Sequence, residues 1–142
     1  MVGTLIIGGG AIGLSVAYHL AKRGAEIERN QLTSGTSWHA AGIVGPLRAT
    51  PNMTRLAMAA LDVFPELEAE TGMSTGYLRT GGYWLAREVE RLDELYRIAD
   101  LGATQGLSPR MILPGEVPVD LLDLSAHVGA LDVPEDANVN PV

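Results

Sequence analysis

Three glycines near the N-terminus have the spacing of a nucleotide-binding turn. Gly8, Gly10 and Gly13 form the pattern G-x-G-x-x-G, between an apolar run at residues 4–7 and an amphipathic run at residues 11–23. The first glycine permits a tight turn, the second lets a pyrophosphate approach the backbone, and the third allows strand and helix to pack closely. The helix N-terminus would then face the negative diphosphate. The pattern predicts a dinucleotide site, and the alternative is a plain glycine-rich turn between strand and helix.

A dinucleotide site of this kind also needs an acidic residue at the end of the second strand, where it binds the ribose hydroxyls. Glu28, followed by Arg29, ends the run 25–27 and is a better candidate than Glu26. A helix over residues 11–23 would be about 20 Å long, whereas residues 25–28 span only about 13 Å when extended. We therefore expect a short second strand and weakened adenosine binding.

The elements that must position these residues follow from periodicity and turn signals. In the run 11–23, Ile12 and Val16 share the inward apolar face, whereas His19 lies largely away from it and is expected to be a solvated residue. Glu66, Glu68 and Glu70 are expected on the solvated side of a helix. The stretch 30–45 lacks a clear period and indicates a loop or a broken helix. Thr50-Pro51 begins a helical pattern that ends near Gly72, and Pro65 should kink or divide it. Gly81-Gly82 lies within a β-rich stretch and indicates a hairpin or a bulge. The remaining predicted elements are a helix over 88–101, with Leu92, Leu95, Tyr96 and Ala99 inward, and strands at 111–113 and 128–133.

Composition excludes several classes of function. The chain has 142 residues, 46% of them hydrophobic, with a formal net charge of −7, so it can bury a core but has no basic surplus for a phosphate backbone. With no cysteine and three scattered histidines, neither disulfides nor a metal site is expected. No apolar run is long enough for a membrane span, and no secretory signal is apparent. We expect a cytoplasmic protein that binds neither nucleic acid nor membrane.

The glycine turn, Glu28-Arg29 and the segment Thr33-Ser34-Gly35-Thr36-Ser37-Trp38-His39-Ala40-Ala41-Gly42 together resemble a known family. They are similar to the N-terminal part of the FAD-dependent amine oxidoreductases of the D-amino-acid oxidase superfamily, in the sarcosine and dimethylglycine dehydrogenase branch. The resemblance covers essentially the whole chain and includes Gly45-Pro46-Leu47-Arg48, Thr80-Gly81-Gly82 and Val133-Pro134-Glu135-Asp136. Its most specific part is Trp38-His39-Ala40-Ala41-Gly42, which favours flavin over nicotinamide.

The resemblance implies FAD as cofactor, with a covalent bond from His39 to the flavin 8α-methyl. For His39 taken alone, a loop histidine with local hydrogen bonds is the alternative. The implied reaction is oxidation of an N-methylated amino acid, of the sarcosine or dimethylglycine type, by hydride transfer to flavin. The cofactor-binding positions are Gly8, Gly10, Ala11, Ile12, Gly13, Glu28, Arg29, Thr36, Ser37, Trp38, His39 and Ile43.

Three further residues have two interpretations each. Tyr83 and Trp84 could face the substrate, but sheet or core packing is the default for aromatic residues. Arg48 could attract a substrate carboxylate, although a surface arginine is the default.

The expected fold class is α/β: an incomplete Rossmann-like FAD-binding fold with a βαβ start, followed by part of an α+β substrate domain. Residues 1–50 would belong to the FAD-binding domain and residues 51–142 to helical and β segments of the FAD and substrate domains. Family members are far longer, so the catalytic residues are expected beyond residue 142, and this chain alone is expected to be inactive. It would act on a small-molecule amine, and a second chain could complete the fold. The alternatives are a non-catalytic remnant or complementing flavin-binding module, and a nicotinamide-binding Rossmann protein.

Overall fold

The computed structural model describes residue 6 and residues 10–24, 40–118 and 123–140. Within them, the helices are α1 (Ala11–Ala21), α2 (Pro51–Thr71) and α3 (Val89–Thr104), with a short 3-10 helix at Pro114–Glu116. The strands are β1 (Ile43–Val44), β2 (Leu78–Arg79), β3 (Gly82–Ala86), β4 (Arg110–Ile112), β5 (Gly129–Val133) and β6 (Ala137–Asn138). The described residues thus form a mixed α/β structure.

The chain divides into two compact units. One comprises Met1–Gly42 with Asn140–Val142, and the other comprises Ile43–Val139. Helix α1 belongs to the first unit, and all the other elements named above belong to the second. The division into domains at residue 50 stays a prediction, because a compact unit is not by itself a functional domain.

The second unit is built around two small antiparallel sheets. One has the strand order β3-β5-β4, and the other has the order β1-β6-β2. Helix α3 packs against the first sheet, and α2 contacts α3. The buried core consists of Leu47, Ala86, Leu95, Ala99, Leu107, Leu131 and Val133. Because these side chains come from α3, from β3, from β5 and from the connecting segments, they hold the helix on the sheet.

Helix α2 begins as the sequence predicts. The Thr50 side chain accepts a hydrogen bond from the Met53 N–H at 3.4 Å, and Pro51 occupies the first helical turn. The helix ends at Gly72, which has a left-handed φ of 68°. Of the two effects predicted for Pro65, a kink or a division of the helix, the division is wrong, because α2 continues through Pro65. An exposed proline removes one backbone hydrogen bond, and a helix that is capped at both ends tolerates this loss.

Of the hairpin or bulge predicted at Gly81-Gly82, the hairpin is wrong. Strand β2 pairs with β6, whereas β3 pairs with β5, so the two strands belong to different sheets. Gly81 has a φ of 71° and redirects the chain between them. Their partners lie some fifty residues downstream, where local sequence signals give no information on pairing.

Helix burial follows the predicted periodicity only in part. In α3, Leu95 and Ala99 are buried as expected, but Tyr96 is 50% exposed. In α1, Ile12 is 84% exposed and Val16 is 45% exposed, although both were expected on an inward face. Periodicity indicates which face of a helix is apolar. It does not say how much of that face a neighbour covers.

The strand predictions have three different outcomes. The strand predicted at 128–133 is confirmed as β5, and the one at 111–113 is confirmed as β4 with a shift of one residue. Of the strand predicted at 4–7, only Ile6 is described, and it has no regular structure. The short second strand at 25–28 lies outside the described residues. In the part of the chain that is described, no helix is both long and apolar enough to cross a membrane.

Candidate functional site

The helix α1 starts from a glycine N-cap. Gly10 is the N-cap, with an extended backbone (φ −87°, ψ −179°), and no side chain among the described residues caps this helix end. The first turn carries no acidic residue, and both Ala11 and Ile12 are exposed. A negative group would therefore meet the positive end of the helix dipole without competition from a carboxylate. The described part of the predicted glycine turn fits a diphosphate.

The opposite end of α1 has basic residues near it and is followed by a glycine. His19 lies in the last turn, and the Lys22 ammonium lies 4.6 Å from the centre of the Tyr18 ring. Gly24 then adopts a φ of 83°, which ends the helical path. His19 is exposed and stacks edge-on against Tyr18, so it behaves as the surface residue that the sequence predicts.

Much of the predicted cofactor site lies outside the described residues. Gly10, Ala11, Ile12 and Gly13 are described together at the start of α1, and Ile43 is described at the start of β1. The residues on which the structure gives no information are Gly8, Glu28, Arg29, Thr36, Ser37, Trp38 and His39. The predicted roles of these seven residues therefore stay predictions.

Ile43 presents its side chain at the surface of the second unit. It is 72% exposed and lies opposite Asn138 in the β1–β6 pair. Leu78, 63% exposed, lies opposite Asn138 from the other side. Directly paired residues of antiparallel strands share a face of the sheet. Ile43 and Leu78 thus lie on the same face of this sheet, one on each side of Asn138, and both are accessible.

A buried carboxyl lies beside this strand. Asp136 is only 6% exposed, and its Oδ2 accepts a hydrogen bond from the Trp84 indole Nε1–H at 3.0 Å. Its Oδ1 is buried and accepts no hydrogen bond from the described residues. Burial raises the pKa of the Asp136 carboxyl, and the Trp84 hydrogen bond and the positive charge of Arg48 oppose this rise. Such a group is costly to bury, and its position calls for a structural explanation.

Trp84 and Tyr83 differ in their surroundings. Trp84 packs against the core and gives its only donor to Asp136, which supports the packing interpretation for this residue. Tyr83 is on the next position of β3, is 38% exposed and pairs with Asp132.

Arg48 has a fixed backbone and an exposed side chain. The buried Thr54 hydroxyl accepts from the Arg48 N–H and donates to the Arg48 carbonyl, both at 3.2 Å. The guanidinium turns back and donates to the Leu47 carbonyl at 2.8 Å. A role in attracting a substrate carboxylate stays a prediction.

Sequence reasoning missed the role of Asp136. The residue belongs to the motif Val133-Pro134-Glu135-Asp136, where its neighbours indicate a turn, and acidic residues in turns are usually solvated. Its burial depends on Gly45 and Gly82, which lie far away in the chain. No local signal identifies such a residue. Within the described ranges, no cluster of three or more metal-binding side chains occurs.

Comparison with known proteins gives a consistent result. The family model described as "FAD dependent oxidoreductase" matches residues 4–142. The chain is 39% identical over 146 residues to 4-methylaminobutanoate oxidase (formaldehyde-forming) of Paenarthrobacter nicotinovorans, covering 99% of this chain and 18% of that protein. It is 38% identical over 144 residues to human mitochondrial sarcosine dehydrogenase, covering 96% of this chain and 16% of that protein.

A third relative has a different kind of name. The mitochondrial pyruvate dehydrogenase phosphatase regulatory subunit of Mus musculus is 39% identical over 142 residues, covering 96% of this chain and 16% of that protein. Among solved structures, the L-proline dehydrogenase of P. horikoshii matches with a TM-score of 0.86 and 26% identity, covering 98% of this chain and 38% of that one. The chain thus spans 16–18% of the length of these curated relatives.

Proposed function

Because the chain belongs to the family of FAD-dependent oxidoreductases, we propose that it forms the N-terminal portion of an enzyme that oxidises an N-methylated amino acid. The resemblance inferred from the sequence and the predicted fold class are thereby confirmed. The relatives named 4-methylaminobutanoate oxidase and sarcosine dehydrogenase support a substrate of the sarcosine or dimethylglycine type. Substrate and activity are proposals, since the chain spans less than a fifth of those proteins.

The observation that carries the proposal is the Gly10 N-cap at the start of α1, which has no side-chain cap among the described residues and no acidic residue in its first turn. Gly10, Ala11, Ile12 and Gly13 would hold the FAD diphosphate against the helix N-terminus, with Gly8 at the turn before them. Glu28 would bind the adenosine ribose, with Arg29 beside it. Nearer the flavin, Thr36, Ser37, Trp38 and Ile43 would surround the ring, and His39 would form the covalent link. When bound, FAD supplies the hydride acceptor, and the protein orients the reactants and excludes competing reactions.

A charge at the helix start tests the diphosphate site. Aspartate is a favourable N-cap, so Gly10→Asp should leave α1 slightly more stable without cofactor. The same carboxylate would repel the diphosphate, so FAD affinity should fall on the order of tenfold or more. Ser15→Asp adds the same charge on the exposed side of α1 and should leave FAD affinity nearly unchanged. Affinity is measured by titration with FAD, and equal effects of the two variants would contradict the site.

The His39 link is tested by mass spectrometry of the denatured holoprotein. We expect the wild-type polypeptide to retain the mass of FAD after denaturation, because a covalent bond survives loss of the fold. His39→Ala should release all the flavin, whereas His19→Ala, on the exposed side of α1, should retain it. A wild-type polypeptide that carries no flavin mass would refute the link.

A second candidate is a flavin-binding module without turnover of its own. It is favoured by the similarity to a protein named as a regulatory subunit rather than as an oxidase or dehydrogenase. Flavin binding without reduction of the flavin by sarcosine or dimethylglycine would support the module. Reduction by either amine would support the enzyme. The family assignment favours the enzyme and the flavin-binding module over a nicotinamide-binding protein.

The remaining parts of the proposal concern the surroundings of the protein. We propose a cytoplasmic location, which the lack of cysteine supports because a reducing compartment does not favour disulfides. A small-molecule amine is the proposed substrate, and a second chain that completes the fold is a further proposed partner. Gel filtration with light scattering tests whether such a partner accompanies the chain.

A further inference from the structure

Where the two sheets of the second unit meet, one carboxyl fills the space of two absent side chains. Asp136 lies between the end of β5 and the start of β6. A Cβ atom on Gly82 would stand 2.6 Å from Asp136 Oδ2, and one on Gly45 would stand closer than 3.0 Å to Oδ1. Real Cβ atoms do not approach so closely. The carboxyl therefore lies against two glycines, with Gly45 nearest Oδ1 and Gly82 nearest Oδ2.

Hydrogen bonds fix Asp136 from its other sides. The Trp84 indole donates to Oδ2 at 3.0 Å, and the Asp136 N–H donates to the Val133 carbonyl at 3.1 Å. The Asp136 carbonyl accepts from the Gly81 N–H at 2.8 Å. We call Gly45, Gly82, Trp84 and Asp136 the Asp136 joint. Gly82 and Trp84 belong to β3, which is paired with β5, and the Asp136 backbone is held by the hydrogen bonds just named, so the carboxyl has little freedom to move.

The joint is connected directly to β1. Asp136 immediately precedes β6, whose Ala137 pairs with Val44 of β1, and Gly45 immediately follows β1. A short strand of two residues has few hydrogen bonds of its own, so its position depends on what encloses its ends. We propose that Asp136 is a positioning residue, which fixes β1 and so determines where the Ile43 side chain lies. The effect of Asp136 on flavin rests on the proposed function.

The chemistry of the joint favours a positioning role over simple core filling. An aliphatic residue would fill the same space without burying an oxygen that lacks a partner, but it would leave the Trp84 N–H without an acceptor. A glutamate would be one methylene too long for the gap between the two glycines. Aspartate combines the short reach with an acceptor aimed at Trp84.

Hydrogen exchange of the full chain tests the connection to β1 without flavin. Asp136→Ala should accelerate amide exchange at residues 43–45 on the order of tenfold relative to the amides of β5, since the end of β1 loses its support. Asp136→Asn retains an acceptor for Trp84 and should restore most of the protection. The control is Asp132→Ala. Asp132 is a similarly buried aspartate of β5, and its carboxylate is ion-paired to Arg110 of β4, the edge strand on the side away from β3. Asp132→Ala should leave residues 43–45 unchanged.

Uniform acceleration over both sheets in Asp136→Ala, or no acceleration at residues 43–45, would overturn the proposal. If this variant does not fold, Trp84→Phe removes the indole donor and should give the same local acceleration. A lack of change at residues 43–45 in Trp84→Phe would then count against the joint in the same way.

The visible spectrum of the flavin-loaded protein separates this inference from the proposed function. Asp136→Ala should shift the visible absorption and circular dichroism bands of bound FAD, while Asp136→Asn and Asp132→Ala should keep the wild-type spectrum. An unchanged spectrum in Asp136→Ala would refute the effect on flavin. A wild-type chain that binds no flavin would refute the proposed function, while the exchange result would still decide whether Asp136 fixes β1.

Discussion

At the scale of single residues, the buried Asp136 carboxyl gives the second unit a specific dependence on pH. Burial is the largest influence on its pKa and raises it, so the folded state holds this proton more tightly than the unfolded chain does. Stability is therefore greatest below the pKa of the unfolded chain, and it falls as the pH rises through the raised pKa of the folded state. This direction is opposite to that of an ordinary salt-bridged carboxylate.

The Asp136→Asn variant should remove this dependence. As the pH rises above about 4, the pKa of an aspartate in the unfolded chain, the wild-type free energy of unfolding should decline relative to that of the variant, because only the wild type must bury an ionised carboxyl. Asp123→Asn is the control, and its effect on stability should have the opposite pH dependence. Hydrogen bonds from Ser125 lower the pKa of Asp123, so any stability that Asp123 contributes is lost as the pH falls. Urea unfolding at several pH values measures both effects. Parallel curves for the wild type and Asp136→Asn would contradict the prediction.

At the scale of elements, the end of α2 organises the segment that follows it. Glu68 Oε1 accepts hydrogen bonds from the Thr75 N–H and hydroxyl, both at 2.7 Å, and from the Ser74 hydroxyl at 3.3 Å. Tyr77, two residues further along, stacks on Phe64 with 5.4 Å between ring centres. Glu68 was expected on the solvated side of a helix, and the structure shows it half-buried and bonded to the next segment.

The Glu68→Gln variant should loosen residues 73–77. The hydrogen bonds from Thr75 are the largest cause of the lowered pKa of Glu68, so its contribution is present above the pKa of the unfolded chain and is lost as the pH falls through the lowered value. A neutral acceptor forms weaker bonds. Amide exchange at residues 73–77 should therefore become faster at neutral pH. Glu66→Gln, on an exposed position of the same helix, should have no effect there, and equal exchange in the two variants would disprove the role of Glu68.

The sequence predicts the elements of this chain better than their connections. The cap at Thr50, the stop at Gly72 and the apolar run of β5 are local signals, and the structure confirms them. The pairing of β2 with β6 and the burial of Asp136 depend on residues that are distant in sequence, so no local pattern contains them. The flavin motif was recognisable from residue types alone, while the geometry of most of its residues lies outside the described part of the chain.

At the scale of the whole molecule, the core formed by the described residues lies within the second unit. All the core residues, from Leu47 to Val133, lie within Ile43–Val139. Both sheets described above also lie within it. This unit therefore has the interactions that a cooperatively folding domain requires.

We expect a polypeptide of residues 43–139 to unfold cooperatively by itself. Its transition in urea, followed by far-ultraviolet circular dichroism, should be sigmoidal, because its core and both its sheets are internal to it. Leu95→Ala, at a fully buried position, should lower the free energy of unfolding by about 2–5 kcal/mol. Tyr96→Ala, one residue further along the same helix, should have a much smaller effect since Tyr96 is half-exposed. A gradual, non-cooperative transition would show that this unit needs the rest of the chain.

The short link between β5 and β6 limits how the chain can change in length. Only three residues, Pro134, Glu135 and Asp136, separate two strands that pair in different sheets. Inserting or deleting one residue here would either displace the carboxyl from its two glycines or slip β6 by one position, which would turn its side chains to the opposite face. Substitutions in this link thus disturb one contact at a time, whereas a change in its length disturbs both sheets at once.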